Sequence, residues 1–389
     1  MTGWKQVKDK TKAILSGRDP EAHHGAVNTP VYHASTILYP SLDAIRGRAP
    51  MEYTYGRAGT PTSRALETAI TELEGGAGCV LTPSGASAVA LAILSVVKTG
   101  DHVLMVDSAY KPTRRLCDNF LKKMGIETEY YVPTIGADIS AKLRDNTSLI
   151  FTESPGSQTF EVQDIPAICA VAKAHNIKTA IDNTWASPLY FDPFSHGLDL
   201  SVQALTKYVV GHADALIGSV TANAENLKAL KDTHAQLGHC AAPDDIYLAL
   251  RGLRTLPTRL AQHQSSALEI ATWLNGLSFV DDVLYPALPG AAGHDLWQRD
   301  FKGATGLFAV RLAPCSEDQL AAMLDNMRLF GMGYSWGGFE SLIVPASVQR
   351  TAEPYEETGQ LLRLHIGLED VEDLKADLAD GFARAGYTG

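Results

Sequence analysis

Between about Gly59 and Val202 the chain repeats one pattern, a short run of apolar or β-branched residues followed by a segment with helical spacing. The runs are Cys79–Thr82, Val103–Val106, Ser148–Thr152, Thr179–Asp182 and Asp199–Val202, and helical segments at Ala86–Val97, Pro112–Met124 and Ile165–His175 lie between them. Strands that are apolar throughout must be covered on both faces, and strands joined by helices run parallel. The pattern therefore predicts an α/β fold with a mostly parallel sheet and helices on either side. Such a sheet gathers ligands at the carboxyl ends of its strands. Those ends carry Thr82-Pro83-Ser84, Asp107-Ser108-Ala109-Tyr110, Glu153-Ser154-Pro155, Asp182-Asn183 and Thr206-Lys207.

What flanks the pattern differs from it. At 389 residues the chain exceeds the size of a single growing core, so two large domains are expected. Apart from a basic amphipathic piece at Thr11–Leu15, residues 1–58 are poorly periodic. Tyr32, Tyr39, Tyr53 and Tyr55 suit an arm that packs on another subunit better than a frayed terminus. After about Gly252 come a long helix (Arg259–Leu274), a Pro- and Gly-rich segment, and a strand at Leu307–Leu312. A helix at Glu317–Leu329, a strand at Leu362–Ile366 and a last helix to Ala385 follow. The expected division is an arm (1–58), a cofactor-binding α/β domain (59–253) and a smaller C-terminal α+β domain (254–389).

Several function classes fall away on composition. With 33 Lys and Arg against 44 Asp and Glu, the net charge of -11 argues against a nucleic-acid or anionic-membrane partner, and any anionic ligand needs a locally built positive site. No signal-peptide core and no membrane-length apolar window is present. Five scattered cysteines without a C-x-x-C pair read as free thiols of a reducing cytoplasm, and no metal is expected.

The chemistry centres on Lys207. It follows the short run Ser201–Leu205 and sits in apolar, Gly-rich surroundings, where a lysine is paired, neutral or used covalently. Asp182 closes the neighbouring run. A lysine and an aspartate at adjacent strand ends are what a pyridoxal-phosphate enzyme requires, one to hold the cofactor covalently and one for its pyridinium nitrogen. Ser84-Gly85-Ala86 opens a helix of small residues, either a tight turn or a phosphate cradle of free backbone amides. Tyr110 is either a core tyrosine or a ring that lies on a flat cofactor. Tyr55 and Arg57 put a phenol and a cation in the arm. Arg363, inside an apolar strand, needs a carboxylate, from an internal acid or from a substrate.

Six ordered motifs join these residues. They are Tyr53-Thr54-Tyr55-Gly56-Arg57, Leu73-Glu74-Gly75-Gly76-Ala77, Ser84-Gly85, Glu153-Ser154-Pro155-Gly156, Ile181-Asp182-Asn183-Thr184-Trp185 and Thr206-Lys207-Tyr208-Val209-Val210-Gly211-His212. Together they resemble the Cys/Met-metabolism family of pyridoxal-phosphate enzymes over essentially the whole chain. Tyr334-Ser335-Trp336 looks most like the bacterial cystathionine β-lyases within that family. The resemblance implies a fold-type I enzyme with a mostly parallel seven-stranded sheet. Its activity would be that of a carbon–sulfur β-lyase cleaving cystathionine to homocysteine, pyruvate and ammonia and acting also on cystine or other cysteine S-conjugates, with γ-synthase, γ-lyase or methionine γ-lyase chemistry as the alternative. It further implies Lys207 as the cofactor lysine, Asp182 on the ring nitrogen, Tyr110 stacked on the ring, and Gly85, Ala86 and Thr206 on the phosphate. Tyr55 and Arg57 would reach a neighbouring subunit's phosphate in a homotetramer built of dimers. Arg363, with Ser335 and Trp336, would hold the α-carboxylate of an amino-acid substrate. One departure is Ala204, where many relatives carry a phosphate-binding serine; the missing hydrogen bond is worth roughly 1 kcal/mol.

Overall fold

The computed structural model describes residues 7–356 and 358–387; residues 1–6 of the expected arm, residue 357 and the terminal 388–389 lie outside the described residues. The arm contributes two short helices, α1 (Asp9–Leu15) and α2 (Leu42–Ile45), joined by irregular chain. Each buries a single alanine, Ala13 and Ala44, while Leu38, Leu42 and Ile45 are 86%, 60% and 61% exposed. Helix α3 (Pro61–Glu74) starts where Thr60 and Ser63 cap each other reciprocally and Pro61 fills a position that needs no amide hydrogen. Its Leu66, Ala69, Ile70 and Leu73 recur at helical spacing and are buried together.

Strands β1 (Gly78–Thr82), β2 (His102–Val106), β3 (Glu127–Tyr131), β4 (Thr147–Glu153), β5 (Lys178–Asp182), β6 (Leu200–Gln203) and β7 (Gly218–Ala222) form one seven-stranded sheet. Their order is β1-β7-β6-β5-β4-β2-β3, and all pairings are parallel except the two made by β7. The sheet is buried on both faces, as alternation along β1 makes plain. Val80 joins one apolar cluster with Ala88, Leu104 and Ile150, whereas Cys79 and Leu81 join another with Leu66, Ile70 and Leu253.

The helices around this sheet are α4 (Gly85–Leu94), α5 (Lys111–Arg115), α6 (Ile165–Ala174), α7 (Ser187–Tyr190), α8 (Leu227–Leu237) and α9 (Pro243–Leu253). Two strands escape the apolar-run criterion. Edge strand β3 alternates Glu127 and Glu129 with Thr128 because one of its sides has no neighbour, and β7 is built of small residues that read as loop. The helix expected at Pro112–Met124 runs over 111–123, with a π-helical stretch at Leu116–Leu121 inside it.

Beyond α9 lie α10 (Leu256–Leu274), β8 (Val280–Leu284), α11 (His294–Asp300), β9 (Leu307–Leu312), α12 (Glu317–Leu324), β10 (Leu342–Pro345), β11 (Gln360–His365) and α13 (Val371–Arg384). The four strands pair antiparallel in the order β10-β11-β9-β8. Helix α12 ends at Leu324 rather than running to Leu329, because the buried carboxylate of Asp377 captures the amides of Arg328, Leu329 and Phe330 at 2.8–3.2 Å. The two sheets share one interior: Trp185 and Phe191 pack in the same cluster as Ile270, Phe308 and Leu364. Among the described residues no helix is long and apolar enough to cross a membrane.

A latch closes the second sheet over the first. The loop between β10 and β11 offers the amides of Thr351 and Ala352 to the Asp107 carboxylate, both at 2.7 Å, just past the end of β2. Arg350 reaches the Asp107 carbonyl at 2.9 Å and the Glu161 carboxylate at 2.6 Å. Ser347, Val348, Gln349 and Arg350 of this loop line a smaller cavity beside the one described next.

Candidate active site

The carboxyl ends of β1, β4, β5 and β6, the start of α4 and residues of the second sheet enclose a cavity of about 230 Å³. Eight of the residues singled out by sequence line it: Gly85, Ala86, Tyr110, Asp182, Thr206, Lys207, Trp336 and Arg363. Ser335 belongs with them, since its hydroxyl accepts a hydrogen bond from Lys207 Nζ at 2.8 Å. Tyr55 and Arg57 do not line it. Tyr55 is 46% exposed, and Arg57 donates to the Ala235 carbonyl at 3.1 Å.

Lys207 leaves the sheet one turn after β6, with its Nζ 5.1 Å from the centre of the Trp336 ring. The loop that carries Ser335 and Trp336 comes close enough to demand a glycine behind them: a Cβ on Gly337, whose φ is +85°, would sit 2.8 Å from Tyr208 N. Burial and the positive charge of Arg363 push the Lys207 ammonium down to about 8, against the pull of Asp182.

Asp182 closes β5, and its Oδ1 accepts from the Thr184 amide at 3.0 Å and from the Thr184 hydroxyl at 2.5 Å. The same hydroxyl accepts from Ala204 N at 2.9 Å, so Thr184 ties the end of β5 to the segment leading to Lys207. Oδ2 has no hydrogen bond among the described residues. Burial raises the Asp182 carboxyl, with Thr184 and Lys207 pulling it back, so the group calls for a cation close by to stay charged.

Three residues essential to this arrangement were not singled out from sequence. Thr184 is one. Glu153 stands opposite Asp182 in the β4–β5 register and accepts the Tyr110 amide at 2.7 Å, placing that residue at the cavity. Burial, then the nearby Asp182, push the Glu153 carboxyl well above the usual range. Glu74 is the third. From the end of α3 it accepts from Ser201 at 2.7 Å, Gln203 at 3.0 Å and Asn183 at 3.4 Å, bracing the strand ends that carry Asp182 and Lys207. Glu74 and Glu153 lie within the quoted motifs, but a glutamate at a helix or strand end gives no spacing signal of its own.

Two expectations are modified. The Arg363 guanidinium has no acidic partner among the described residues; it donates to the carbonyls of Gly333, Tyr334 and Ser335 at 3.2, 3.2 and 3.3 Å. Of the two partners foreseen for it, an internal acid is not found among the described residues. The Thr206 hydroxyl donates to the Ile217 carbonyl at 3.1 Å and accepts the Ile217 amide at 2.9 Å, so it reaches a phosphate only by giving up its bond to that carbonyl.

These residues fit a planar, phosphate-bearing pyridine. Ser84 caps α4 through the Ser87 amide at 3.2 Å, which leaves the Gly85 and Ala86 amides of the first turn for an anion. Gly85 must lack a side chain, because a Cβ there would meet the Ala204 Cβ at 2.4 Å. The open oxygen of Asp182 and the amine of Lys207 supply the remaining polar contacts such a group needs.

Known proteins resemble this chain from end to end. The family model described as Cys/Met metabolism PLP-dependent enzyme matches residues 10–383. A putative cystathionine beta-lyase of Rhizobium johnstonii is 53% identical over 380 residues, covering 96% of each chain. Cystathionine beta-lyase of Escherichia coli is 46% identical over 386 residues, covering 96% of this chain and 98% of its own. The crystal structure of cystathionine gamma synthase from Xanthomonas oryzae pv. oryzae in complex with cystathionine superposes with a TM-score of 0.90 at 33% identity, covering 98% of this chain and 99% of that one.

Proposed function

The chain belongs to the Cys/Met-metabolism family of pyridoxal-phosphate-dependent enzymes, and from that membership we infer that it is a carbon–sulfur β-lyase, cleaving L-cystathionine to homocysteine, pyruvate and ammonia. The observation that carries this reading is the sharing of one cavity by the Lys207 amine, the Asp182 carboxylate and an arginine, Arg363, that has no acidic partner among the described residues. Relatives at 44–53% identity are named cystathionine β-lyases, whereas the γ-synthase structure stands at 33%, so β-elimination is favoured over γ-chemistry.

When bound, the cofactor's pyridine ring acts as an electron sink for charge developing at the substrate Cα. In our reading Lys207 would hold the cofactor, and its Nζ, when free, would take the Cα proton of the substrate. Asp182, steadied by Thr184, keeps the proton on the ring nitrogen. Arg363 binds the α-carboxylate and so fixes which bond at Cα faces Lys207, with Ser335 and Trp336 beside it. As the Cβ–S bond breaks, Lys207 returns a proton to the departing thiolate, which leaves as homocysteine; water converts the remaining three-carbon unit to pyruvate and ammonia. Gly85, Ala86 and Thr206 are assigned to the phosphate and Tyr110 to the ring face.

The arm fits the same scheme. We assign Tyr55 and Arg57 to the phosphate of a neighbouring subunit in a homotetramer, on the ground that both lie outside their own chain's cavity while Leu38, Leu42 and Ile45 beside them need a cover. A cytoplasmic enzyme is in keeping with five cysteines that are all free.

Incubation with L-cystathionine, L-cystine and L-methionine tests the reaction: pyruvate is expected from the first two, and 2-oxobutyrate as the main product supports γ-elimination instead. Lys207→Ala is expected to lower kcat by at least about a thousandfold and to remove the visible absorbance of bound cofactor. A variant that keeps both overturns the assignment of the lysine.

A further inference from the structure

Strand β11 carries a second polar side chain on the face that presents Arg363. His365 stands two residues further on, so both project from the same side of the sheet, and both reach the segment 333–338 that bears Ser335 and Trp336. Arg363 holds this segment by its carbonyls, donating through Nη2 to Gly333, Tyr334 and Ser335. His365 holds it further along, its Nε2 lying 3.1 Å from the Gly337 amide and 3.1 Å from the Gly338 carbonyl. The two grips fall on either side of Trp336. The segment also rests directly on the backbone of the lysine, since a Cβ on Gly337 would come 3.0 Å from Lys207 Cα. Its position therefore sets how Ser335 Oγ meets Lys207 Nζ at 2.8 Å.

A neutral imidazole nitrogen serves only one of the two groups beside Nε2: it accepts from the Gly337 amide or donates to the Gly338 carbonyl. The Gly337 amide has no other acceptor among the described residues, and a buried amide hydrogen is left unpaired more rarely than a buried carbonyl. The lone pair thus belongs on Nε2 and the proton on Nδ1. His365 is 1% exposed, and burial, then the neighbouring His263, hold its imidazole well below the usual histidine range, so the lone pair persists at neutral pH. His263 fits this assignment. Its Nδ1 donates to the Ile366 carbonyl at 2.7 Å, which leaves its own Nε2 as an acceptor, and the two ring centres are 5.3 Å apart. Tyr208, next to Lys207 in the chain, stands edge-on to both imidazoles.

We propose that His365 is a positioning residue for the lyase reaction: with Arg363 it clamps the segment on both sides of Trp336 and so sets Ser335 and Trp336 against Lys207. The proposal rests on the β-lyase reading for the reaction it serves. The three carbonyl bonds all draw on one nitrogen of Arg363. A substrate carboxylate that takes that nitrogen releases all three at once, and His365 is then the grip left beside Trp336. Its loss is felt mainly in substrate binding.

Two polar replacements separate the hydrogen bond from mere packing, because glutamine carries its amide oxygen about as far out as Nε2 whereas that of asparagine stops near Nδ1. In the holoenzyme, His365→Asn is expected to raise KM for L-cystathionine roughly fivefold to tenfold with a smaller loss in kcat, and His365→Gln to stay within about twofold of the unmodified protein. Deuterium exchange at the amides of residues 333–341 should quicken in the first variant and not in the second, with exchange along β11 unchanged. Leu364→Val thins the buried core on the opposite face of the same strand; it should lower the unfolding midpoint and leave KM and segment exchange alone. A KM unmoved by His365→Asn, an equal loss in both His365 variants, or faster exchange along the whole of β11 overturns the proposal. Absence of pyruvate with the unmodified holoenzyme overturns the β-lyase reading instead, and the exchange difference does not depend on it.

Discussion

Lys207 shows how the site prepares its own nucleophile. Only the neutral amine can attack the cofactor's carbonyl carbon, and an ordinary lysine is almost wholly protonated at neutral pH. Burial and Arg363 bring the ammonium of Lys207 down to about 8, so the competent fraction grows as pH rises through that value. Uptake of pyridoxal phosphate by the apoprotein, followed by visible absorbance, is therefore expected to quicken from about pH 7 to about pH 9 and then level off. Arg363→Ala removes one of the two causes and should move the midpoint upward. A rate flat across that interval contradicts the shift. Asp182 is prepared in the opposite sense. Burial disfavours its charge, so a cationic ring nitrogen is the partner that restores it.

The latch between the two sheets works at the scale of elements. Asp107, buried past the end of β2, takes Arg114 Nη1 at 2.6 Å and two amides of the β10–β11 loop at 2.7 Å. Arg114 is itself buried, its guanidinium 3.9 Å above the centre of the Tyr130 ring. Removing the acid strands that cation. Asp107→Ala is expected to destabilise the fold by about 3–5 kcal/mol in denaturant titrations. A loss below about 1 kcal/mol would place Asp107 among exposed, weakly coupled pairs.

For the whole molecule, the arm poses a question that one chain cannot answer. Tyr55 and Arg57 lie outside the cavity of their own chain, and our reading assigns them to a neighbour's site. Arg57→Ala and Lys207→Ala chains should then each be poorly active alone. Refolded together they should regain activity, since one site in each mixed pair combines an intact Lys207 with an intact Arg57. Activity that stays at the sum of the two parents shows that Arg57 serves its own chain or none.

The alternation of strands and helices in the first sheet, the strand ends that carry chemistry, and the pair of Lys207 and Asp182 were legible in the sequence. The physical reason is that apolar runs, helix starts and isolated ionisable residues are local signals. Edge strand β3 and the small-residue strand β7 were not legible, because what makes each a strand is its neighbour across the sheet. The same holds for Glu74, Glu153 and Thr184, whose partners lie 109 to 129, 43 and 20 positions away along the chain where the bonds are long-range. Sequence alone thus determined which residues could do the chemistry. Only the tertiary structure decided that Arg363 meets no acid among the described residues and that Thr206 is bonded to Ile217, because burial and the pairing of groups are properties of the packed chain.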